Sequence, residues 1–178
     1  MTAPDHRSRR RTTTPEPLAT AVVETPIGPL TVVASPAGVR AVLWPDEREG
    51  RVVLPSAAVP DAGADEVLAS TVRQLAEYFA GTRREFDLPL DPTGTDFQQD
   101  AWSVLRTIPY GRTMSYGEQA RALGDARKAR AVGAANGRNP ISVIVPCHRV
   151  VGSNGSLTGF AGGLSSKEWL LAHERQHA

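Results

Sequence analysis

The sequence holds one cysteine in 178 residues. One thiol closes no internal disulfide and builds no cysteine-rich zinc site. Four histidines, at 6, 148, 173 and 177, do not make up for it, so no metal and no cofactor is expected. A reducing, cytoplasmic setting follows from the same scarcity. No stretch approaches the ~20 consecutive apolar residues that cross a bilayer, which excludes a spanning helix and a membrane partner. The opening MTAPDHRSRRRTTTPEP has no apolar h-region, so a secretory signal is not expected. What is present is ordinary: 40% hydrophobic residues over a length that fits one domain or two small ones and buries a real core.

Net charge is nearly absent as well, at +1, but that figure sums unlike parts. Residues 1–17 carry four Arg (7, 9, 10 and 11) against Asp5 and Glu16, giving +2. Residues 18–92 carry six Arg against eleven acids, giving −5; residues 93–178 carry ten Lys and Arg against six acids, giving +4. Within 112–149, seven basic residues face only Glu118 and Asp125. Such asymmetry hints at a polyanionic partner, although scattered surface charge would produce it too.

Three segments follow from composition and periodicity. Residues 1–17, rich in Arg, Thr and Pro, read as a disordered tail. Residues 18–92 read as an N-terminal α/β domain. ATAVVET, LTVVAS and VRAVLW, separated by Pro-Gly turns, predict a three-stranded antiparallel meander. Residues 45–64 are Pro-, Gly- and acid-rich and read as loop. Leu68, Val72, Leu75 and Phe79 then mark one face of a helix that Gly81 stops. After the linker 89–95, residues 93–178 read as a helical domain. Phe97, Ala101, Val104 and Ile108 share a face, with Thr95 and Gln98 placed as a capping box.

Ser115-x-x-Glu118 is a second capping box; Gly124 should stop its helix and Asp125 should cap another running to about Asn136. Two short helices around a tight turn make a helix-turn-helix pattern. The second carries Arg127, Lys128 and Arg130 among Ala126, Ala129, Ala131, Gly133, Ala134 and Ala135. Small side chains would let that backbone approach a groove while the cations reach out. A packing helix with solvated cations reads equally well. ISVIV (141–145) reads as a buried strand, Asn154-Gly155 as a hairpin turn, and Ser165-x-x-Glu168 as the capping box of a last helix, with Leu164 and Trp169 as its hydrophobic staple.

The lone thiol, Cys147, lies where the apolar run meets Pro146, beside His148 and Arg149. Cationic and hydrogen-bonding neighbours lower a thiol's pKa and make it a nucleophile; most lone cysteines are instead small buried hydrophobes. A Pro-terminated strand end would let Cys147 and His148 turn toward one cavity, which favours the nucleophile.

NPISVIVPCHRVVG (139–152), with SYGEQA, ARAVGAANGRNP and FAGGLSSKEWLLAHE, resembles the O6-alkylguanine-DNA alkyltransferases, also called methylated-DNA–protein-cysteine methyltransferases. The likeness covers about 93–175, and more loosely 19–92 through TPIGPLTVVAS. It implies an α/β (α+β) architecture, with a ribonuclease H-like three-stranded sheet and helix before a helical domain with the helix-turn-helix. It implies stoichiometric DNA repair, in which Cys147 keeps the alkyl group of O6-alkylguanine and possibly of O4-alkylthymine. His148, oriented by Glu174, would deprotonate Cys147 through a water; Asn139 would brace the turn; Tyr116 would contact the flipped base or its phosphate and donate a proton to the leaving guanine. The carbonyls of Cys147 and Val150 and the N–H of Ala161, with Phe160 and Thr158, would line the base pocket. Arg130 would fill the gap left by the flipped nucleotide, with Ser115, Arg127, Lys128, Ala129 and Arg138 along the minor groove. The implied partner is double-stranded DNA carrying the lesion, with no obligate protein partner and a monomeric state.

This set is physically coherent. O6 of guanine is out of reach of a buried thiolate inside a duplex, so the base must leave the stack. The minor groove carries little sequence information, which suits a search for damage. Some family members have Tyr-Ser where this chain has Phe160-Ala161. A silent DNA-binding module, a Cys-His hydrolase and a merely buried Cys147 are the competing readings. The first predicts binding without transfer, the second turnover, and the third leaves His148 and Glu174 idle.

Overall fold

The computed structural model describes residues 15–55 and 57–178; the Arg cluster at 7–11 lies outside them. Strands β2 (Ala19–Val23), β3 (Leu30–Ser35) and β4 (Gly38–Leu43) form the expected antiparallel meander in the order 2-3-4. The β3–β4 turn needs Gly38, whose φ is +155°. A Cβ there would sit 2.6 Å from the Pro89 backbone, which bridges to Val39 through Leu90. Helix α1 (Ala62–Phe79) starts where Asp61 caps Gly63 and Ala64, inside the stretch read as loop. It lays Leu75 and Tyr78, both fully buried, over the sheet.

Glu16–Pro17 form β1, paired in parallel with β5 (Ala58–Val59), where composition suggested disorder. The reason is local: Leu18 is buried beside Val33 and Ala41, and Glu16 pairs with Arg40 at 3.1 Å.

Helix α2 (Asp96–Leu105) carries the reciprocal Thr95–Gln98 capping box, and α3 (Tyr116–Ala122) the Ser115–Glu118 box, as their spacing predicts. Between them, β6 (Met114–Ser115) pairs with β7 (Val150–Val151). Asp125 caps a 3₁₀ turn, Ala126–Lys128, before α4 (Ala129–Gly137) begins, so the second helix starts later than its cap suggested. Gln119 of α3 and Asn136 of α4 exchange amide hydrogen bonds at 3.0 and 2.8 Å in the buried seam between them. Trp102 of α2 donates to the Ala135 carbonyl of α4 at 2.8 Å.

Residues 141–145 are buried but are not a strand. After one bridge from Ile141 to Val42, the chain coils back, Val145 N–H reaching the Ile141 carbonyl at 2.9 Å, and Val143 sits at φ +72°. That is a rare conformation for a β-branched residue. Asn139 makes it possible, its side chain donating to the Val145 carbonyl (2.8 Å) and accepting from Ile141 N–H (3.0 Å). A side chain thus supplies the hydrogen bonds that a neighbouring strand would have given.

The Asn154-Gly155 turn forms, with Gly152 N–H bonded to the Ser156 carbonyl at 2.8 Å, but no paired strands flank it. Helix α5 (Leu164–His177) begins one residue before the expected Ser165 cap. Gly163 occupies the cap position without a side-chain bond, and Leu164 is 49% exposed, so neither the box nor the staple forms. The pull inward comes from Ser166 and Lys167, both buried. Among the described residues, no helix is long and apolar enough to cross a membrane.

Candidate active site

Cys147 opens a 3₁₀ turn, Cys147–Arg149, directly after the coiled 141–145 segment. The turn sends the three side chains different ways. Cys147 lines a cavity of about 600 Å³, together with Tyr116 of α3, Ala129, Gly133 and Asn136 of α4, Thr158, Phe160 and Ala161 of the loop before α5, and Arg48 and Arg51 of the loop after β4. His148 and Arg149 turn inward to Glu174 of α5. The single cavity expected for Cys147 and His148 is therefore occupied by the thiol, with the imidazole fully buried beneath it.

Glu174 is fully buried and receives five donors. His148 Nε2 (2.7 Å), Tyr78 Oη (2.8 Å) and Arg149 Nη2 (2.9 Å) reach Oε1; Arg149 Nε (2.9 Å) and Gly111 N–H (3.1 Å) reach Oε2. Burial alone would push this carboxyl up. The hydrogen bonds of His148 and Arg149 and the Arg149 charge outweigh burial and hold it well below the usual carboxylate range. An always-ionised carboxylate fixes the tautomer of its neighbour. Nε2 of His148 carries the hydrogen, and Nδ1 presents a lone pair that no protein group engages. Burial lowers the imidazole's pKa, against the pull of Glu174. His148 is thus a neutral, oriented base.

Burial raises the Cys147 thiol, while the Asn139 side chain, Lys167 and Arg51 draw it back down. Lys167 is itself buried. Its Nζ donates to the Thr158 carbonyl at 3.0 Å and lies 5.9 Å from the centre of the Tyr116 ring; burial lowers its pKa. Tyr116 Oη donates to the same Thr158 carbonyl at 3.0 Å, and its ring faces Gly133, where a Cβ would touch it at 3.7 Å. Arg51 donates to the Asn139 carbonyl and to Glu47, tying the loop after β4 to the active-site turn.

Of the residues expected in the site, Cys147, His148, Glu174, Asn139, Tyr116, Ala161, Phe160, Thr158 and Ala129 come together here. Val150 is fully buried and outside the cavity lining, its N–H bonded to the Cys147 carbonyl. Ser115 is the α3 cap. Arg127 is tied to Asp125 at 3.0 Å, Lys128 lies 5.8 Å from the Phe97 ring, Arg138 donates to the Gly50 carbonyl at 3.1 Å, and Arg130 is exposed on α4. Periodicity missed Tyr78, Arg149, Lys167 and Arg51. Their burial, which the fold alone displays, is what marks them: Arg51, Arg149 and Lys167 are charged groups at 7% exposure or less.

Two family models match this chain almost end to end. Residues 96–176 match the 6-O-methylguanine DNA methyltransferase DNA-binding domain, and residues 18–92 the ribonuclease-like domain of the same methyltransferase. The chain belongs to the 6-O-methylguanine DNA methyltransferase family. A methylated-DNA–protein-cysteine methyltransferase of Methanosarcina acetivorans is 45% identical over 154 residues, covering 86% of this chain and 96% of the relative. One from Shigella flexneri is 48% identical, covering 85% and 92%. Among solved structures, Mycobacterium tuberculosis OGT in complex with DNA superposes with a TM-score of 0.78 at 46% identity, covering 88% of this chain and 92% of that one. The mixed fold, with its antiparallel sheet followed by helices, is the fold of this methyltransferase family.

Proposed function

We propose that this chain repairs DNA by moving an alkyl group from O6 of guanine to Cys147 Sγ, once per molecule. The observation that carries the reading is the buried line from Glu174 through His148 to a cavity with the only thiol in its wall. His148 Nδ1 takes the thiol proton, through one water. Sγ attacks the alkyl carbon, the S–C bond forms as the C–O6 bond breaks, and guanine leaves with a proton from Tyr116 Oη, which turns from the Thr158 carbonyl to give it. No second base cleaves the thioether, so the protein is consumed. Lys167 beside the thiol favours its anion.

The division of labour follows. Residues 18–92 form the supporting domain and 93–178 the DNA-binding and alkyl-accepting one. The α3–α4 pair acts as a helix-turn-helix along the minor groove, with Arg130 in the place of the flipped nucleotide and Ser115, Arg127, Lys128, Ala129 and Arg138 around it. Phe160, Ala161, Thr158 and Cys147 enclose the base, and Val150, outside the lining, bonds the Cys147 carbonyl from behind. O4-alkylthymine fits the same chemistry. A monomer in a reducing cytoplasm, with no cofactor, suffices.

The test is a duplex bearing O6-methylguanine labelled in its methyl group. Label is expected on Cys147, in at most one equivalent, and none in Cys147→Ala. Repeated turnover, or label on another residue, would refute the mechanism.

A further inference from the structure

Trp44 follows β4, in the half of the chain where sequence offers no catalytic motif. It is buried, and its backbone N–H is held by Glu47 Oε2 at 3.0 Å. Its indole reaches across to the other half at three points. Nε1 donates to Ser142 Oγ at 3.2 Å, inside the coiled segment that presents Cys147. The ring meets Phe160 edge-on, with centroids 5.3 Å apart. It also lies against the backbone of Gly162, where a Cβ would fall 2.5 to 2.6 Å from three ring atoms. Trp44 does not line the cavity, whereas Phe160 and Ala161 do. The indole therefore stands behind the loop, and the loop stands between it and the thiol.

We infer that Trp44 is a positioning residue that sets the width of the alkyl-acceptor cavity, and so the size of adduct the site accepts. The inference rests on the alkyl-transfer reading above. A flat, rigid ring with only two rotatable bonds is a wall that yields little. Gly162 lets the loop lie in direct contact with it, and the same loop carries Phe160 and Ala161 into the cavity lining opposite the indole. Removing the ring gives the loop room to retreat. Adding a methyl group at Gly162 pushes the loop the other way, into the cavity. The two changes act on opposite sides of one contact, so their effects on size selection carry opposite signs. A residue that merely stabilised the fold would slow large and small substrates alike.

The experiment measures second-order rates of Cys147 alkylation by free O6-benzylguanine and free O6-methylguanine in the full chain. The same proteins are treated with iodoacetamide and N-benzyliodoacetamide, in which the thiolate displaces iodide and no repair activity is needed. Trp44→Leu should raise the large-to-small ratio at least fivefold in both reagent pairs. Gly162→Ala should lower it at least threefold. Trp44→Phe, which loses the six-membered ring that meets Gly162 as well as the bond to Ser142, should raise the ratio too, by less than Trp44→Leu. Ratios unchanged in both Trp44→Leu and Gly162→Ala, or shifted in the same direction, would overturn the inference. If Trp44→Leu fails to fold, Gly162→Ala and Trp44→Phe still decide by their signs. Absence of transfer from O6-methylguanine in the natural chain would refute the repair reading alone, because the iodoacetamide pair continues to report the cavity.

Discussion

At the scale of single residues, Glu174 organises the site. Its five donors come from three places in the chain: one from α1, one from the segment before β6 and three from the active-site turn, with none from its own helix. An ionised carboxylate held this low has no proton to share and accepts the Nε2 hydrogen of His148, which fixes the orientation of the imidazole. Two pKa displacements give the protein an acid-side weakness. His148 is lowered by burial and Glu174 is lowered by its partners, so in both cases the unfolded chain binds more protons than the folded one. Stability should therefore hold at pH 7, begin to fall below about 6.5 and fall further below about 4.3, the ordinary values of the two groups. Urea unfolding at pH 7, 5.5 and 4 measures this; a flat profile would contradict it. Tyr78→Phe should cost about 1.5–3 kcal/mol at pH 7, the range for a hydrogen bond to a charged group. The sequence displays Cys147, His148 and Glu174 through their local motif, whereas Tyr78 sits three residues after Leu75 on an apolar helical stripe. Its ring reads there as core, and only the fold shows where its hydroxyl goes.

At the scale of elements, local signals succeeded where the chain satisfies its own hydrogen bonds. Both helices opened by capping boxes begin where the Ser or Thr and its partner three residues on require. The failures fall where tertiary contacts decide. ISVIV is apolar enough for a strand, but Asn139 ties off its backbone groups and the segment coils. Ser165-x-x-Glu168 is a capping box in sequence only, because burial of Ser166 and Lys167 draws the helix start back to Leu164. Helix α4 reads correctly as small-residued, and its purpose shows in three dimensions. Gly133 and Ala129 border the cavity, while Arg130, beside them in sequence, points to solvent. Arg130→Ala should leave the reaction with free O6-benzylguanine within twofold and slow repair of O6-methylguanine in duplex DNA tenfold or more. The difference arises because only the duplex has a stacking gap to fill. Equal losses on both substrates would remove Arg130 from that role.

At the scale of the whole molecule, the near-zero net charge conceals a division between an acidic front half and a basic back half. The structure refines the basic count within 112–149. Arg149 is buried against Glu174 and is withheld from a polyanion. Arg112, Arg121, Arg127, Lys128, Arg130 and Arg138 remain, all exposed, with Arg127 paired to Asp125 at the surface. The two halves are held together by Arg51 on the Asn139 carbonyl, by Trp44 on Ser142 and by Tyr78 on Glu174, each crossing from the acidic half to the active-site side. The acidic half thus reaches the site through buried contacts, and the exposed cations of the other half are the ones the proposed function assigns to DNA. That arrangement sets a quantitative expectation. If four or five of these cations each neutralise one phosphate, log K for duplex DNA should fall against log salt with a slope of about −4, from roughly −0.9 per phosphate contact. Affinity should then drop on the order of 10²-fold between 50 and 200 mM salt. Fluorescence anisotropy on undamaged duplex measures the slope directly. Arg112→Ala, Arg121→Ala and Arg138→Ala should each make it shallower by about one. A slope near zero, or one that none of the three variants alters, would mean that a different surface meets the phosphates.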